Sequence, residues 1–454
     1  MIIRNLIYIL QSENYYFSRF LKFAYSHLEW WELEQRQKIT WTAKARLLQI
    51  ITWAILISAS IIGFSFFGWY GFFIVAALLA LLPFVIGISL VLIMPVDEIL
   101  KNKRIGSAKS ILSQAGIEIV GITGSYGKTS TKEILAHILE KKFSVIKTPE
   151  NVNTDIGIAD FIIRKKEQIQ KSQVFIVEMG AYCKGEIAAI CNMVKPDYSI
   201  LTGINEAHLE RFGNIDNTIQ TKFELPQNTK ALSVLNLDDV NVRDNSERFD
   251  LKNTSGISLG SAGNIEALEN FKGLKFSYDN CDFQTKLLAE HNITLILLCS
   301  VIAKKLGMSM GEISDAVSGI KPVAHRLEPL YNSATNVMVI DDSYNGNFDG
   351  IKSGIKVLSR AGGRKLVLTP GIVELGDAMP AIHREIGRLY AHEADQVLLI
   401  KSPMTPYIIE GLQEEKFENL RLYENTEQAH ADLGSVIKSG DTIIFQNDLT
   451  DNYF

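Results

Sequence analysis

The stretch TGSYGKTSTK, residues 123–132, sets glycines, hydroxyls and a lysine in an order suited to gripping a phosphate chain. Gly124 and Gly127 let backbone N–H groups curl around phosphate oxygens, and Ser125 and Ser130 belong to the same cradle. Lys128 reaches the outer phosphates of a nucleotide such as ATP, and the Thr129 hydroxyl binds Mg²⁺. The run is a variant of the common phosphate-loop pattern, because position 122 is Ile and the upstream glycine is Gly121. Two further segments offer metal ligands. VFIVEMGA, 174–181, ends an apolar run on Glu178, and YSILTGI, 198–204, leads into NEAHLERFG, which carries His208. A carboxylate and an imidazole at the ends of parallel strands would lie beside the phosphate loop. Taken alone, a single histidine is more often structural.

These groups need a scaffold, and the sequence supplies one. IEIVGI, 117–122, reads as a buried strand, and beyond the loop Ile134, Leu135, Ile138 and Leu139 fall on one face of a helix. From about 322 onward strand and helix patterns alternate as VMVIDD, IKSGIKVLSR, KLVLTP, HREIGRLYA, QVLLI, ADLGSVIKS and DTIIF, which predicts a second, doubly wound α/β unit. Within it, Gly371, Glu374 and His383 fall at a strand-to-helix crevice, an expected ligand edge, although charged residues there equally suit a solvated helix face. The polar stretch 250–290 predicts short strands and no function.

With 454 residues the chain exceeds one domain, and 47% hydrophobic against 21% charged residues excludes a disordered chain. Four cysteines without a CxxC pair exclude a disulfide scaffold or a zinc finger, and a net charge of −5 gives no global attraction to nucleic acid. The mean hydropathy of +0.09 is high for a soluble enzyme, and the excess is local. Residues 47 to 96 carry no charge at all. A bilayer core about 30 Å thick needs about 20 apolar helical residues, so this run predicts a transmembrane hairpin over 47–67 and 72–94, turning at Gly68-Trp69-Tyr70-Gly71. Lys and Arg flank the run on both sides, from Arg4 to Arg46 and from Lys101 to Lys109, which places both ends in the cytoplasm at the inner membrane. All five tryptophans precede residue 71, and residues 1–46 read either as an amphipathic helix lying on membrane lipid or as one packed on the cytoplasmic domain.

Taken in order, TGSYGKTSTK, TPENVNTDIG (148–157), VEMGA, GEIAAI (185–190), NEAHLERFG, QTKFEL (220–225), LNLDD (235–239), AHRLE (324–328) and DDSYNGN (341–347) resemble the Mur ligases, over roughly 105–440. The similarity is greatest to the branch that adds D-alanyl-D-alanine to a UDP-N-acetylmuramoyl-tripeptide. The resemblance implies an ATP-dependent amide ligase of cell-wall precursor synthesis, joining a nucleotide- or lipid-linked precursor to an amino acid or dipeptide amine through an acyl phosphate, with no nucleic-acid partner. It implies that Lys128, Lys222, His208 and Arg326 are catalytic, with Lys222 carrying a carbamate and Arg326 approaching the γ-phosphate. It assigns Mg²⁺ to Thr129, Glu178, His208 and Lys222, and ATP to Gly124, Ser125, Gly127, Lys128, Thr129 and Ser130 together with His291, Asn292, Arg326, Asp342, Tyr344, Asn345 and Asn347.

Three departures accompany the resemblance. The membrane hairpin stands where the family has a uridine-binding domain. HNITL, 291–295, has Leu295 where the family has an asparagine, and after DTIIF (441–445) QNDLTDNYF replaces the family's KGSR-like motif. The expected organisation is a juxtamembrane segment 1–46, a hairpin 47–96, a P-loop-type central ATPase domain 97–320 and a Rossmann-like C-terminal α/β domain 321–454. Gly319-Ile320-Lys321-Pro322 would be the joint between the last two. The rival expectation is an ATP-binding membrane scaffold that recruits cell-wall enzymes without ligating anything, for which a carbamate-forming lysine has no use.

Overall fold

The computed structural model describes residues 2–13, 15–26, 39, 41–205, 214–343, 346–373 and 375–447. The chain divides into two units, Met1–Arg104 and Ile105–Phe454.

In the first unit, α1 (Ile2–Ser12) and α2 (Phe17–Ser26) precede the long apolar helix α3 (Ala43–Phe67), capped by Thr42, whose hydroxyl accepts the Ala45 N–H. A single 3₁₀ turn, Gly68–Tyr70, reverses the chain into α4 (Gly71–Ala80), followed by α5 (Leu82–Ala115). Gly71 lies so close to Gly63 and Phe64 that an added Cβ would sit 2.7 Å from the Phe64 nitrogen, so the turn requires glycine there. The expected hairpin is present, with two differences. Its return arm is broken at Leu81, and its helix does not stop at the first charge but runs through Pro95 and Asp97 to Ala115. Most side chains of α3 and α4 face outward, Phe66 being 79% and Phe72 64% exposed, while Leu6, Ile7 and Leu10 of α1 are buried with Leu48, Leu82, Val85 and Ile86. Within this unit the first helix therefore packs against the two arms of the hairpin. Within the hairpin the polar groups pair with one another: Thr52 donates to Ser89 (3.0 Å), and Lys44 meets Asp97 at 2.6 Å.

The second unit contains two six-stranded sheets and a small three-stranded one. The first sheet comprises β1 (Glu118–Thr123), β2 (Val145–Lys147), β3 (Val174–Glu178), β4 (Tyr198–Leu201), β5 (Leu232–Asn236) and β6 (Thr254–Ile257), all parallel, in the order β2-β3-β1-β4-β5-β6. Alternation of side chains along the strands sends Val120, Ile122, Val174 and Ile176 into one core and Ile119, Phe175 and Val177 into another, so both faces are covered and the strands read as continuous apolar runs. On the first face lies α6 (Lys128–Leu139), with all four residues of its expected apolar stripe buried, beside the helix His291–Lys305. On the second lie α7 (Asp155–Arg164) and α9 (Glu186–Val194). Between them in sequence is the short α8 (Lys166–Lys171). The stretch 250–290 forms, besides β6, the antiparallel sheet β7 (Gly263–Leu268), β8 (Gly273–Tyr278) and β9 (Cys281–Thr285).

The remaining sheet has the order β10-β11-β15-β12-β13-β14, from β10 (Glu328–Asn332), β11 (Val337–Asp342), β12 (Lys365–Gly371), β13 (Gln396–Ile400), β14 (Leu420–Tyr423) and β15 (Thr442–Asn447). Its pairs are parallel except for the antiparallel β10–β11. After β1 the first sheet's chain passes to the edge strand β2 and returns to β3 beside β1, then crosses to the other side and builds outward through β4, β5 and β6. That reversal beside β1 opens a crevice at the strands' carboxyl ends, where ligands of such sheets bind.

Candidate active site

A cleft of about 1380 Å³ opens at that edge and is walled on its other side by residues of the second large sheet. It is lined by every residue that the resemblance assigns and the structure describes: Gly124, Ser125, Gly127, Lys128, Thr129, Ser130, Glu178, Lys222, His291, Asn292, Arg326, Asp342 and Asn347; Gly371 and His383, expected at a ligand edge, do not line it. His208, Tyr344, Asn345 and Glu374 lie outside the described residues.

The loop between β1 and α6 is shaped by its glycines. Gly124 has a φ of +156° and no room for a side chain, since a Cβ would meet the Thr202 hydroxyl at 2.1 Å, and Gly127 is left-handed at +75° as it starts α6. The loop is tied to the end of β4, because Ser125 N–H donates to Gly203 O (2.8 Å) and the Thr202 hydroxyl bonds Tyr126 O. The Tyr126 ring lies over Gly203, and its hydroxyl donates to Asp239 (2.7 Å), which also accepts the Ile204 (2.9 Å) and Val242 (2.8 Å) N–H groups. Burial and the Asp239 charge raise the pKa of the Tyr126 phenol, which stays a donor. Lys128 donates to Gly124 O at 2.6 Å and is half-buried, and burial lowers its pKa against the pull of Glu178. The Ser125 hydroxyl is buried without a hydrogen-bond partner among the described residues. A cradle closed to any Cβ, an orphaned hydroxyl and a lysine at the start of a helix fit a nucleotide's phosphates.

Glu178 is the most heavily braced group of the cleft. Its N–H donates to Thr148 Oγ1 (3.0 Å), the Thr129 hydroxyl donates to its carboxylate (3.2 Å), and Asn153 Nδ2 lies at 3.5 Å. Lys132, 1% exposed, meets it at 3.0 Å as an ion pair whose angle falls outside hydrogen-bond geometry. Burial alone would raise the carboxyl's pKa, yet Lys132 and Lys128 win and hold it below the usual carboxylate range, so Glu178 is an anion. This explains TPENVNTDIG: Thr148 and Asn153 support Glu178, and Thr154 caps α7 by accepting the Gly157 N–H (3.3 Å). Among the described residues no three His, Cys, Asp or Glu side chains gather as a metal cage, so Glu178 and Thr129 stand as donors that need others to complete a Mg²⁺ site.

Lys222 lies on the helix Ile215–Gln227 and is 3% exposed. Burial and then the nearby Lys128 charge push its pKa down to about 7 against the pull of Glu186 and Glu224, so a large share of it is a neutral amine at neutral pH. The adjacent Glu224 is occupied elsewhere, accepting the Gly185 (2.6 Å) and Ala188 (2.9 Å) N–H groups at the start of α9.

On the opposite wall, Arg326 reaches the cleft between two residues in the left-handed region, His325 (φ 61°) and Leu327 (φ 49°). Burial raises the Asp342 carboxyl to about 6, offset in part by hydrogen bonds from the Leu327 N–H and the Gln446 side chain and by Arg326. Gln446, of the segment standing where the KGSR-like motif is expected, is itself buried and accepts from the Tyr390 hydroxyl (3.2 Å). Asn347 caps the helix Phe348–Leu358, its side-chain oxygen accepting the Gly350 N–H (2.9 Å). His291 Nδ1 lies 3.2 Å from Ser353 Oγ, linking the helix His291–Lys305 to that same helix. Leu295 supports the phosphate loop from below, 3.6 Å from where a Cβ on Gly127 would be. His383, by contrast, is a structural histidine. It is fully buried, its Nε2 accepts the Ile372 N–H (3.1 Å), and its Nδ1 donates to Met379 O (2.7 Å), which leaves neither nitrogen for a ligand.

Sequence reasoning missed Lys132, Thr148, Asn153, Tyr126 and Asp239. Lys132 had a signal, since it falls one turn after Lys128 within the apolar stripe of α6, where a lysine needs a buried partner. Asp239 closes the LNLDD motif, but its role depends on the approach of β5 to the loop, which the motif alone does not give.

Comparison with known proteins accords with this geometry. The Mur ligase middle domain matches residues 122–303, and the Mur ligase glutamate ligase domain matches 325–446. The UDP-N-acetylmuramoyl-tripeptide–D-alanyl-D-alanine ligase of Bacillus subtilis is 26% identical over 349 residues, 75% of this chain and 75% of that one. Its Mycobacterium bovis counterpart is 29% identical over 61% of this chain, and the match spans 57% of the mycobacterial protein. The crystal structure of MurF ligase from Thermotoga maritima in complex with ADP superposes with a TM-score of 0.66 at 26% identity, covering 77% of this chain and 80% of that one. With both domain families matched in order and the phosphate loop, Glu178 and Lys222 lining one cleft, the chain belongs to the Mur ligase family of ATP-dependent enzymes that form carbon–nitrogen bonds.

Proposed function

We propose that the chain is a membrane-anchored ligase that adds D-alanyl-D-alanine, or a related amine, to a cell-wall precursor carrying a carboxylate. The observation that carries this reading is the presence in one cleft of Lys128, the Thr129–Glu178 pair, Lys222 and Arg326. Amides of the 124–130 loop and Lys128 hold the nucleotide's phosphates. The P-loop-type and Rossmann-like descriptions of the two domains belong to this reading, supported by the strand–loop–helix of β1 and α6 and by the parallel second sheet.

Lys222 has the character that carbamate formation requires. Its neutral amine attacks CO₂, a nitrogen–carbon bond forms, a proton leaves, and a neutral amine becomes an anion beside Lys128. Mg²⁺ held by Thr129, Glu178, His208 and the Lys222 carbamate would offset the charge of the transferring phosphoryl group. Arg326, reaching across from the second sheet, stabilises the same charge. The precursor's carboxylate takes the γ-phosphoryl group and ADP departs. The amine then attacks the acyl carbon, phosphate leaves, and the amine's proton passes to solvent. The cleft walls exclude water from this hydrolysable intermediate.

The outward-facing apolar residues of α3 and α4, over a length sufficient to span a bilayer, support a hairpin anchor at the cytoplasmic membrane with lipid as a partner. The test is ATP-dependent phosphate release by the detergent-purified chain with UDP-N-acetylmuramoyl-tripeptide, with D-alanyl-D-alanine added or withheld, followed by mass spectrometry. A new amide that appears only with the dipeptide is the expected result. Nucleotide binding with no amide from this or any lipid-linked precursor would overturn it.

A further inference from the structure

His325 is an exposed residue that does not line the cleft, yet it holds a backbone conformation that side chains other than glycine rarely adopt. Leu327, two residues on, does the same, and Arg326 stands between them. Non-glycine residues in this region are strained and persist where the surroundings fix them. The fixing groups are visible on both sides. His325 Nδ1 lies 2.8 Å from Asp341 Oδ2, and Asp341, whose side chain is 14% exposed, is itself oriented by Ser343, whose hydroxyl (2.5 Å) and N–H (3.2 Å) donate to Oδ1. The Leu327 N–H bonds the neighbouring Asp342 inside the cleft. Adjacent aspartates at the end of β11 thus grip the residues on either side of Arg326, one from outside the cleft and one from within.

We propose that His325 is a positioning residue, clipped by Asp341 so that Arg326 is presented into the cleft at the outermost phosphate of the nucleotide. This rests on the reading of Arg326 as a γ-phosphate ligand, and the test separates the two. It uses the full chain in detergent with Mg²⁺ and compares ATP with ADP affinity by calorimetry, because a γ-phosphate ligand alters the ratio whereas a merely structural residue alters both alike. Arg326→Ala is expected to lower ATP affinity about tenfold or more while leaving ADP affinity unchanged. His325→Gly keeps the left-handed backbone without strain and removes the clip; it and Asp341→Ala are each expected to reproduce roughly a third or more of the loss in the ratio. Asp341→Asn, which retains an acceptor for the imidazole N–H, is expected to restore it. If Arg326→Ala shifts the ratio while His325→Gly and Asp341→Ala leave it as in the parent, the clip is overturned and the Arg326 reading stands. If Arg326→Ala itself leaves the ratio unchanged, the Arg326 reading falls and the clip falls with it.

Discussion

On the β1 wall of the cleft, Glu178 is held by Lys132 at 3.0 Å, with both side chains nearly sealed from solvent, and by Thr129, Thr148 and Asn153. On the facing wall, Arg326 is presented by a strap whose brace, His325 with Asp341, has one partner 57% exposed. The first wall is assembled by the core of a parallel sheet and cannot be altered without disturbing that core. The second is assembled by the segment leading into β10, the end of β11 and a helix cap, which can rearrange locally. A rigid phosphate cradle facing an adjustable cationic strap suits a reaction in which the nucleotide must be fixed before the site closes over a labile intermediate.

The contrast is broken most forcefully at the buried pair. Glu178→Ala strands the Lys132 ammonium in the core and is expected to destabilise the catalytic unit by about 3–5 kcal/mol in denaturant titration. A loss below about 1 kcal/mol would show that water reaches Lys132 and that the first wall is not sealed. Lys222 sharpens the comparison through pH. Its folded-state pKa is depressed to about 7, so below that value the neutral amine declines about tenfold per pH unit, and bicarbonate-dependent activation should decline with it. A ¹³C-carbamate resonance from labelled bicarbonate, absent in Lys222→Ala, would report the same titration. Activation independent of pH through this range would mean that the lysine acts as a cation.

The junction of loop and sheet comes next in size. A Cβ at Gly203 would meet the Tyr126 ring at 2.2 Å, so Gly203→Ala is expected to cost about 1–3 kcal/mol and to weaken nucleotide binding by releasing the loop. Unchanged binding would show that the ring is not what seats the loop. The smallest stability effect belongs to the strap: Asp341→Ala removes a partly exposed pair and is expected to cost no more than about 1 kcal/mol in thermal denaturation. A larger loss would make that wall as much a part of the core as the first.

The phosphate loop, the apolar stripe of α6, the hairpin and the alternation of the C-terminal region were legible in the sequence because each depends on neighbours within a few residues. Glu178 was legible because an apolar run ending on a carboxylate is local too. What supports Glu178 was not, because Lys132, Thr148 and Asn153 come from three separate segments that only the sheet brings together. His383 shows the reverse failure. Its position at a crevice was readable, but its saturation by the Ile372 N–H and Met379 O was not. The helical arm running on to Ala115 escaped notice because charge and proline marked an end that an exposed face and a tolerated kink do not impose.

All five tryptophans fall within Met1–Arg104, Trp53 and Trp69 with half or more of their surface exposed, and the unit that holds the cleft has none. The molecule thus carries its own optical partition. Indole emission reports Met1–Arg104 alone, so quenching by brominated acyl chains reads insertion without interference from the unit that holds the cleft. Any emission change on adding ATP is then a measure of how far chemistry in the unit that holds the cleft is felt in Met1–Arg104.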